Sequence, residues 1–386
     1  MGEWKKCTIA DIGTVVGGAT PSTKKTENYE NGTIAWITPK DLSAFSRRYI
    51  TNGERNITEI GIKSCSAQLM PKNTVLFSSR APIGYVAIAA NELCTNQGFK
   101  SVVPNKNIDP LFLYYLLKYN KEKIKNMGSG TTFKEISGAT MRNIEIVIPV
   151  SLSEQKAISS VLGTIDDKIE ENRKINKNLA DLLQTIYQER FGIISSAVSQ
   201  GFLSDLCSFS KDRVAVSELN LNSYFSTENM LPGKDGATEA TSLPTTLQTT
   251  ACHVGDTLIS NIRPYFKKIV YCEDECGCST DVLCFTPSRS QYAPYLFSTL
   301  YSEKFFAFMV AGSKGTKMPR GDKQQIMTYP IVLPSDEELE EFNALAVPIL
   351  DQIHSNRGEN KRLSIVRDTL LPKLMTGEID ISNIQF

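Results

Sequence analysis

The segment IEENRKINKNL at residues 169–179 returns later in the chain as IHSNRGENKRL at residues 353–363. The two segments lie 184 residues apart, and six of the eleven aligned positions are identical. The same separation relates Ser151 and Glu154 to Ser335 and Glu338, the loop GSGTT at Gly128 to GSKGT at Gly312, and DPLFLYYL at Asp109 to APYLFSTL at Ala293. One separation that spans caps, loops and helix interior indicates a duplication rather than a chance likeness of two helices. We therefore predict two copies of one plan, in which a variable module precedes a long helix.

The two related segments lie within heptad patterns, which predict a first long helix over residues 151–195 and a second long helix with a C-terminal tail over residues 335–386. Seam positions of the first helix are Ile158, Leu162, Ile165, Ile169, Asn172, Asn176, Leu179, Leu183 and Ile186. Those of the second are Phe342, Ala346, Ile349, Ile353, Asn356, Asn360, Leu363, Val366 and Leu370. Because each module ends in such a helix, we expect the two helices to pair antiparallel and to separate the modules.

Each predicted seam carries two asparagines and each helix has its own irregularities. Buried asparagines in a coiled coil commonly fix register at a cost in stability. We predict that Asn172 and Asn176 lie near Asn356 and Asn360; the alternative is that all four face solvent where the helices splay apart. Pro348 and Pro372 are expected to bend or end the second helix, which would make it the less regular of the two.

The modules, residues 1–150 and 196–334, have short apolar strands separated by Gly, Pro and Asn turns, together with amphipathic helices. The predicted fold class is therefore α+β, with two mixed α/β modules and an internal pseudo-twofold repeat. A Gly-rich loop recurs in both, GSGTTFKEISG at residues 128–138 and GSKGTKMPRGDKQQ at residues 312–325. Neither loop has the Walker spacing of a nucleotide-binding site. Loops of this kind can grip a phosphate backbone or reach a base edge, although a solvated connector has similar composition.

Composition excludes several classes of protein. No apolar run approaches a membrane span, and the N-terminus lacks the apolar core of a signal peptide. The nine cysteines are scattered, as expected of reduced thiols in a cytoplasmic protein. Net charge is zero, yet residues 1–150 carry an excess of seven positive charges and residues 335–386 an excess of five negative ones. A local basic face can therefore contact phosphates while acidic elements face elsewhere.

The sequence offers no catalytic constellation. Its two histidines, His253 and His354, belong to neither an HExxH motif nor a Ser–His–Asp arrangement. Cys272, Cys276 and Cys278 form a CxxxCxC spacing without a clear fourth ligand, so we predict structural cysteines and no metal. These observations favour a binding protein over an enzyme.

Taken together, the motifs resemble the specificity subunit of type I restriction–modification enzymes over the whole chain. The resemblance is carried by WKKCTIADIG with GGATPSTK near the N-terminus, IAWITPKDL at Ile34, SEQKAISSVLGTIDDKIEENRKINKNL in the middle, NSYFSTENMLP at Asn222, GSKGTKMPRGDK at Gly312 and LLPKLMTGEI at Leu370. It implies that each module reads one half of an asymmetric bipartite DNA site. It also implies that the helices set the gap and dock two methyltransferase subunits. Those subunits would carry S-adenosylmethionine and methylate adenine N6, while restriction subunits would use ATP and Mg and cleave DNA. The chain itself would catalyse nothing and hold no cofactor.

The candidate contacts to double-stranded DNA are the basic and hydroxyl side chains of the loops. In the first module they are Lys24, Lys25, Lys40, Arg47, Arg48, Arg80, Thr132 and Lys134. In the second they are Arg263, Lys267, Lys268, Lys314, Lys317 and Arg320. Two alternatives remain open: a recognition arm of a related fused or type II system, and a coiled-coil scaffold that joins two protein-binding modules without nucleic acid. Salt-dependent binding to DNA would distinguish the scaffold from the other two.

Overall fold

The computed structural model describes residues 2–43, 45–130, 134–192 and 200–381 of the chain. The chain divides into two compact units, which we call unit 1 (Met1–Glu170 with Asn360–Phe386) and unit 2 (Glu171–Glu359). Two 40-residue helices, α7 (Leu152–Phe191) and α12 (Asp336–Met375), each contribute one part to each unit. At 1.5 Å per residue, each helix is about 60 Å long.

Unit 1 combines three antiparallel or mixed sheets with six short helices. Its strands are β1 (Trp4–Thr8), β2 (Gly13–Gly17), β3 (Ile34–Ile37), β4 (Tyr49–Ile50), β5 (Arg55–Ile57), β6 (Val75–Ser79), β7 (Ile83–Ala89), β8 (Cys94–Thr95), β9 (Lys100–Pro104) and β10 (Glu145–Pro149). Its short helices are α1 (Ile9–Ile12), α2 (Pro39–Leu42), α3 (Glu59–Lys63), α4 (Pro110–Tyr119), α5 (Lys121–Asn126) and α6 (Gly138–Arg142). The sheets have the strand orders β1-β10, β2-β9-β6-β7-β4 and β5-β3-β8.

Unit 2 repeats this plan with different lengths. Its strands are β11 (Gln200–Phe202), β12 (Cys207–Phe209), β13 (Arg213–Ala215), β14 (Tyr224–Phe225), β15 (Gln248–Cys252), β16 (Thr257–Ser260), β17 (Ile269–Tyr271), β18 (Cys276–Cys278), β19 (Val282–Pro287) and β20 (Pro330–Val332). Its short helices are α8 (Leu203–Leu206), α9 (Ala293–Tyr301), α10 (Glu303–Ala311) and α11 (Lys323–Met327). The sheets have the orders β11-β20, β12-β19-β16-β17 and β13-β15-β18-β14.

The strand pairings confirm the duplication that the sequence predicts. In each unit the first strand pairs with the strand that precedes a long helix, β1 with β10 and β11 with β20. The order β2-β9-β6-β7 in unit 1 also matches β12-β19-β16-β17 in unit 2. The predicted α+β class with two mixed modules is therefore correct.

Both long helices belong to the cores of the units. In unit 1, Ile158 and Leu162 of α7 join Leu374 and Met375 of α12 in one apolar cluster with α4. In unit 2, Leu183 of α7 and residues of α12 such as Phe342 pack with α9 and α10. Burial of one such side chain contributes roughly 1.5–3 kcal/mol, so neither unit is complete without its segment of both helices.

Within each unit α7 and α12 run antiparallel. In unit 2, Asn172 Nδ2 donates to Glu359 Oε2 over 2.7 Å, whereas Arg190 Nη1, nearer the end of α7, bonds Glu341 Oε2 at 2.9 Å. In unit 1, Asn360 Nδ2 donates to the Ile169 carbonyl at 3.3 Å, and Arg367 lies opposite Asp166. Residue numbers thus rise along one helix as they fall along the other.

The four seam asparagines make contacts across the helix pair. Asn356 Nδ2 donates to Asn176 Oδ1 at 2.8 Å, and Asn176 Nδ2 donates to the Ile353 carbonyl at 3.4 Å. Asn172 and Asn356 are only 1 % and 6 % exposed. The contacts agree with the expectation that these amides meet between the helices; a role in fixing register stays a prediction.

One seam assignment and one of the outcomes expected for the prolines of the second helix are wrong. Pro348 and Pro372 do not end the helix, because α12 continues through both positions to Met375; a bend at either proline stays a prediction. Each proline removes one helical hydrogen bond, but apolar neighbours such as Ala346 and Leu374 are buried and hold the helix in place. Val366, assigned to the seam, is 47 % exposed, and Arg367 faces α7 instead.

That arginine belongs to a buried polar network in unit 1. Asp166 Oδ1 accepts from Arg367 Nη1 at 2.7 Å, and Asp166 Oδ2 accepts from Tyr115 Oη at 2.6 Å. Burial pushes the pKa of Asp166 upward, but these bonds and the arginine charge outweigh it and leave the pKa below its usual value. At the repeat-equivalent positions of unit 2 stand Leu350 and Leu183, both in the apolar core. The two copies therefore differ at these equivalent positions of the helix pair: unit 1 has an ion pair, and unit 2 has two leucines.

Candidate nucleic-acid interface

Each Gly-rich loop is closed by the same two main-chain hydrogen bonds. In unit 1, Ser129 N donates to Glu135 O at 3.1 Å and Glu135 N to Ser129 O at 2.9 Å. In unit 2, Lys314 and Arg320 exchange the equivalent bonds, both at 2.9 Å. The residue after the first partner is a glycine at positive φ in both loops, Gly130 at 125° and Gly315 at 103°. Side chains disfavour this conformation, and glycine adopts it at little cost. We call these the unit 1 hairpin (the described residues 129–130 and 134–135, closed by the Ser129–Glu135 bridge) and the unit 2 hairpin (residues 314–320).

A second loop lies directly beside the unit 2 hairpin. Arg263 N donates to the Pro319 carbonyl at 2.7 Å, and Ile262 pairs with Arg320 in an isolated antiparallel bridge. The chain then forms a 3₁₀ turn, Pro264–Phe266, flanked by Arg263 and Lys267, each at a φ of 51°. A left-handed conformation costs a non-glycine residue roughly 1–3 kcal/mol and persists only where the surroundings impose it, commonly at binding sites. We call residues 263–267 the turn loop.

The structure brings five of the predicted basic residues of unit 2 together in the hairpin and turn loop: Lys314, Lys317, Arg320, Arg263 and, at the end of the turn loop, Lys267. Lys314 Nζ bonds Asp322 Oδ2 at 2.5 Å and Arg320 Nη2 bonds Asp281 Oδ1 at 3.0 Å. Lys317 is exposed near the hairpin tip and Arg263 is half-buried. These are long, mostly accessible cations on two loops that are bonded together, an arrangement suited to contact with a polyanion.

Lys267 and Lys268 lie at the far side of the turn loop and are held more firmly. Lys267 Nζ bonds Glu303 Oε2 at 2.5 Å, and Lys234 Nζ bonds the other oxygen of that carboxylate at 2.8 Å. Lys268 Nζ donates to the Thr227 carbonyl at 2.5 Å, and burial lowers its pKa. Both lysines therefore brace the turn loop as well as adding positive charge.

In unit 1 the hairpin gathers fewer cations. Arg80 Nη1 and Lys100 Nζ lie 3.4 and 3.6 Å from the two oxygens of Glu135, and Ser79 O accepts from Ile136 N at 3.0 Å. Lys134 is exposed. Thr132, the remaining candidate in this hairpin, lies outside the described residues.

The other candidates of unit 1 lie on separate loops. Lys24 is exposed, Lys25 Nζ is 3.8 Å from Glu27 Oε1, and Lys40 Nζ is 2.6 Å from Glu54 Oε2. Arg47 is exposed. The same region holds a basic residue that the sequence analysis missed, Arg55, whose guanidinium stacks 4.0 Å from the centre of the Tyr29 ring.

Arg48 differs from all other candidates, because it is only 5 % exposed. Its side chain bonds Asp167, Glu170 at 3.0 Å and the Gly163 carbonyl at 3.3 Å, all on α7. A guanidinium with these partners joins the module to the helix rather than facing a ligand. The sequence could not separate Arg48 from its neighbour Arg47, which is exposed.

Exposed apolar side chains also occur on the unit 2 surface, and the sequence analysis passed over them. Tyr265 and Phe266 of the turn loop are 50 % and 39 % exposed, and Met318 of the hairpin is 49 % exposed. The run RPYFKK, with two aromatics inside a basic stretch, was the available signal. Aromatic residues of the unit 2 helices, such as Tyr295 and Phe305, are buried instead.

The cysteine and histidine candidates lie away from these loops. Cys272, Cys276 and Cys278 are buried in an apolar cluster with Met230 and Leu258. Among the residues that the structure describes, no group of three or more His, Cys, Asp or Glu side chains is arranged to hold a metal. In the same part of the chain, no helix is long and apolar enough to cross a membrane.

His253 is held between two acidic side chains on the surface of unit 2. Its Nδ1 lies 2.7 Å from Glu275 Oε2 and its Nε2 lies 3.1 Å from Asp212 Oδ2. Hydrogen bonds to Glu275 and then to Asp212 raise its pKa above 6.5.

These features define a class of protein: a duplicated chain in which two mixed α/β modules, each with a basic bridged hairpin, are joined to two long antiparallel helices. Comparison with known proteins identifies the class. Residues 1–180 match the family model described as the type I restriction modification DNA specificity domain. The type I restriction enzyme MjaIX specificity subunit of Methanocaldococcus jannaschii is 32% identical over 411 aligned positions, which cover 99% of this chain and 95% of that protein.

Two further relatives agree. The EcoR124I/EcoR124II specificity subunit of Escherichia coli is 30% identical over 173 positions, 42% of this chain and 41% of that protein. The crystal structure of a type I system S subunit from M. genitalium has the same fold, with a TM-score of 0.57 at 18% identity over 97% of this chain and 96% of that one. The chain belongs to the family of type I restriction enzyme specificity subunits, and it contains the DNA-specificity domain of that family.

Proposed function

We propose that this cytoplasmic chain directs a type I restriction–modification complex to an asymmetric bipartite DNA site. Each unit reads one half-site, while α7 and α12 set the number of base pairs between the halves. The same helices dock two methyltransferase subunits, which bind S-adenosylmethionine and methylate adenine N6. Restriction subunits supply ATP- and Mg-dependent cleavage. This chain contributes recognition and assembly and performs no catalytic step.

The observation that carries the proposal is the pair of hairpins, which are closed by the same two main-chain hydrogen bonds and carry different side chains. The unit 2 hairpin presents Lys314, Lys317 and Arg320, whereas the unit 1 hairpin presents Lys134 with Arg80 beside it. A shared scaffold with unlike side chains is suited to reading two different half-sites. Arginine and lysine supply donors for the acceptors of guanine as well as for phosphates.

The ion pairs around the hairpins leave these cations able to bind phosphates, although the chain has no net charge. Arg80, Lys314 and Arg320 each bond a carboxylate in the free protein. Exposed pairs of this kind contribute only about 0–1 kcal/mol, so a phosphate can replace the carboxylate at small cost. Until then the carboxylates keep the long side chains in place, and ordering them on DNA costs less entropy.

The proposal is tested by co-expressing the chain with the methyltransferase subunit of a neighbouring gene in a host without DNA methylation. N6-methyladenine is then mapped across the host genome, with a culture lacking only this chain as the control. We expect an interrupted, asymmetric motif that disappears in the control. Soluble, co-purifying subunits that modify no motif and show no salt-dependent binding to DNA would refute the proposal and favour a protein scaffold.

A further inference from the structure

The exposed apolar residues of unit 2 lie where its basic loops meet. Tyr265 and Phe266 form the tip of the turn loop, with ring centres 4.7 Å apart. Met318 immediately precedes Pro319, whose carbonyl accepts from Arg263 N at the base of the same loop. Three large side chains, each between 39 % and 50 % exposed, thus stand on two loops that are bonded together. We call these three residues the apolar tip.

The local backbone keeps the aromatic pair at the surface. Phe266 N and Lys267 N donate to the carbonyls of Arg263 and Pro264, both at 2.9 Å. The ring of Pro264 fixes φ within the turn, and the residues on either side adopt left-handed conformations. Such a tight, internally bonded turn resists collapse, so the rings remain available to a ligand.

Positive charge surrounds the apolar tip and indicates its occupant. Lys268 Nζ lies 6.0 Å from the centre of the Phe266 ring, and Lys317 directly precedes Met318. Arg320 pairs with Ile262 just before the turn loop. An apolar spot framed by cations fits a polyanion that carries a local apolar group. In the major groove of DNA that group is the C5-methyl of thymine.

We propose that Tyr265, Phe266 and Met318 pack against thymine methyl groups and so read A·T pairs in the half-site bound by unit 2. This inference rests on the proposed function and adds to it a class of base and a set of reading residues. The corresponding loop of unit 1 has Ala81 and Pro82 after Arg80 and carries no aromatic residue. Thymine-methyl reading by this device is therefore confined to one half of the site.

The test uses the complex of the full chain with its methyltransferase subunit and duplexes containing the mapped motif. Each thymine of both half-sites, on either strand, is replaced in turn by deoxyuridine, which lacks the methyl group and keeps every hydrogen-bonding atom. We expect about a fourfold loss of affinity for each methyl that the tip covers, the value of one buried methyl group, at one or more positions of a single half-site. The inference is overturned if deoxyuridine lowers the affinity at no position of either half-site. It is also overturned if the half-site bound by unit 2 contains no A·T pair.

Variants then assign the effect to the apolar tip. The double variant Tyr265→Ala/Phe266→Ala should have a smaller preference for thymine over deoxyuridine duplexes, because only Met318 of the apolar tip remains. The matched control is Leu247→Ala, which removes a side chain of unit 2 that is 91 % exposed and leaves the preference intact. A double variant that keeps the wild-type preference also overturns the inference. The proposed function is tested separately, because methylation of an interrupted motif by the wild-type complex does not depend on the result with deoxyuridine.

Discussion

The buried network in unit 1 leads to a prediction in which two damaging substitutions repair one another. The Asp166 side chain is 7 % exposed and that of Arg367 is 17 % exposed. Without Arg367, Asp166 loses the cation bonded to it and keeps the Tyr115 hydroxyl, whereas Arg367 without Asp166 keeps an exposed carboxylate partner, Asp368, at 2.8 Å. Removing one partner of a buried pair costs about 3–5 kcal/mol. We therefore expect Arg367→Leu to destabilise unit 1 by that amount and Asp166→Leu by less, because Asp368 still pairs with Arg367. The double variant reproduces the Leu350 and Leu183 pair of unit 2, so it should recover most of the loss.

The residual cost of the double variant comes from Tyr115, whose hydroxyl loses its acceptor. An unsatisfied buried hydroxyl costs about 1–3 kcal/mol, and adding Tyr115→Phe should remove this term. The interaction energy between the two single substitutions is then about 3 kcal/mol or more.

The chain provides a selective assay for unit 1. Its two tryptophans, Trp4 and Trp36, both belong to that unit, so their fluorescence during guanidinium unfolding follows unit 1. Midpoints at equal slope give the free energies of unfolding for the wild type, the single variants and the double variant. Single and double variants whose losses simply add would refute the reasoning. A single substitution that lowers the free energy of unfolding by less than about 1 kcal/mol would also refute it, because a cost that small is typical of solvent-exposed ion pairs.

Three further predictions follow from other parts of the chain. Arg48→Ala should lower the melting temperature of the chain and leave the salt dependence of DNA binding by the complex unchanged. Lys317→Ala should leave the melting temperature unchanged and reduce the slope of log affinity against log salt concentration by about one. The pKa of His253 lies above 6.5 in the folded chain, so the charged imidazole stabilises the fold fully below pH 6.5 and less as the pH rises. The melting temperatures of the wild type and His253→Gln, measured by calorimetry, should therefore converge as the pH rises. A difference that stays constant with pH would contradict this. Inserting seven helical residues after Asn176 and seven before Asn356 lengthens both helices by about 10 Å and keeps the heptad pattern. The spacer between the two halves of the methylated motif should then grow by about three base pairs. An unchanged spacer would show that the helices do not set its length.

The duplicated architecture was predictable from the sequence because it leaves two independent signals. A constant separation of related segments identifies the repeat, and the heptad pattern identifies α7 and α12. Helix interruption was predicted wrongly for a physical reason: a proline penalty of about 3 kcal/mol is local, whereas the packing that offsets it at Pro348 involves residues distant in sequence.

The candidate site was predictable as loops and only partly as residues. Gly130 and Gly315 mark the hairpin turns in the sequence, since only glycine adopts their φ at little cost. Charge alone did not separate Arg47, which faces outward, from Arg48, which is bound to α7. The exposure of Tyr265 depends on a turn held by backbone bonds, and composition favoured burial for any aromatic side chain.

The central claim, that each unit reads its own half-site, is tested most directly by paired substitutions followed by methylation mapping. Lys317→Ala/Arg320→Ala alters the unit 2 hairpin and Arg80→Ala/Lys134→Ala alters the unit 1 hairpin, and the substituted side chains are all wholly or partly exposed. Each complex is expressed in the methylation-free host and its N6-methyladenine motif is compared with that of the wild type. We predict relaxed sequence preference in one half of the motif for the first variant and in the other half for the second. Relaxation of both halves by either variant, or of the same half by both, would contradict the account.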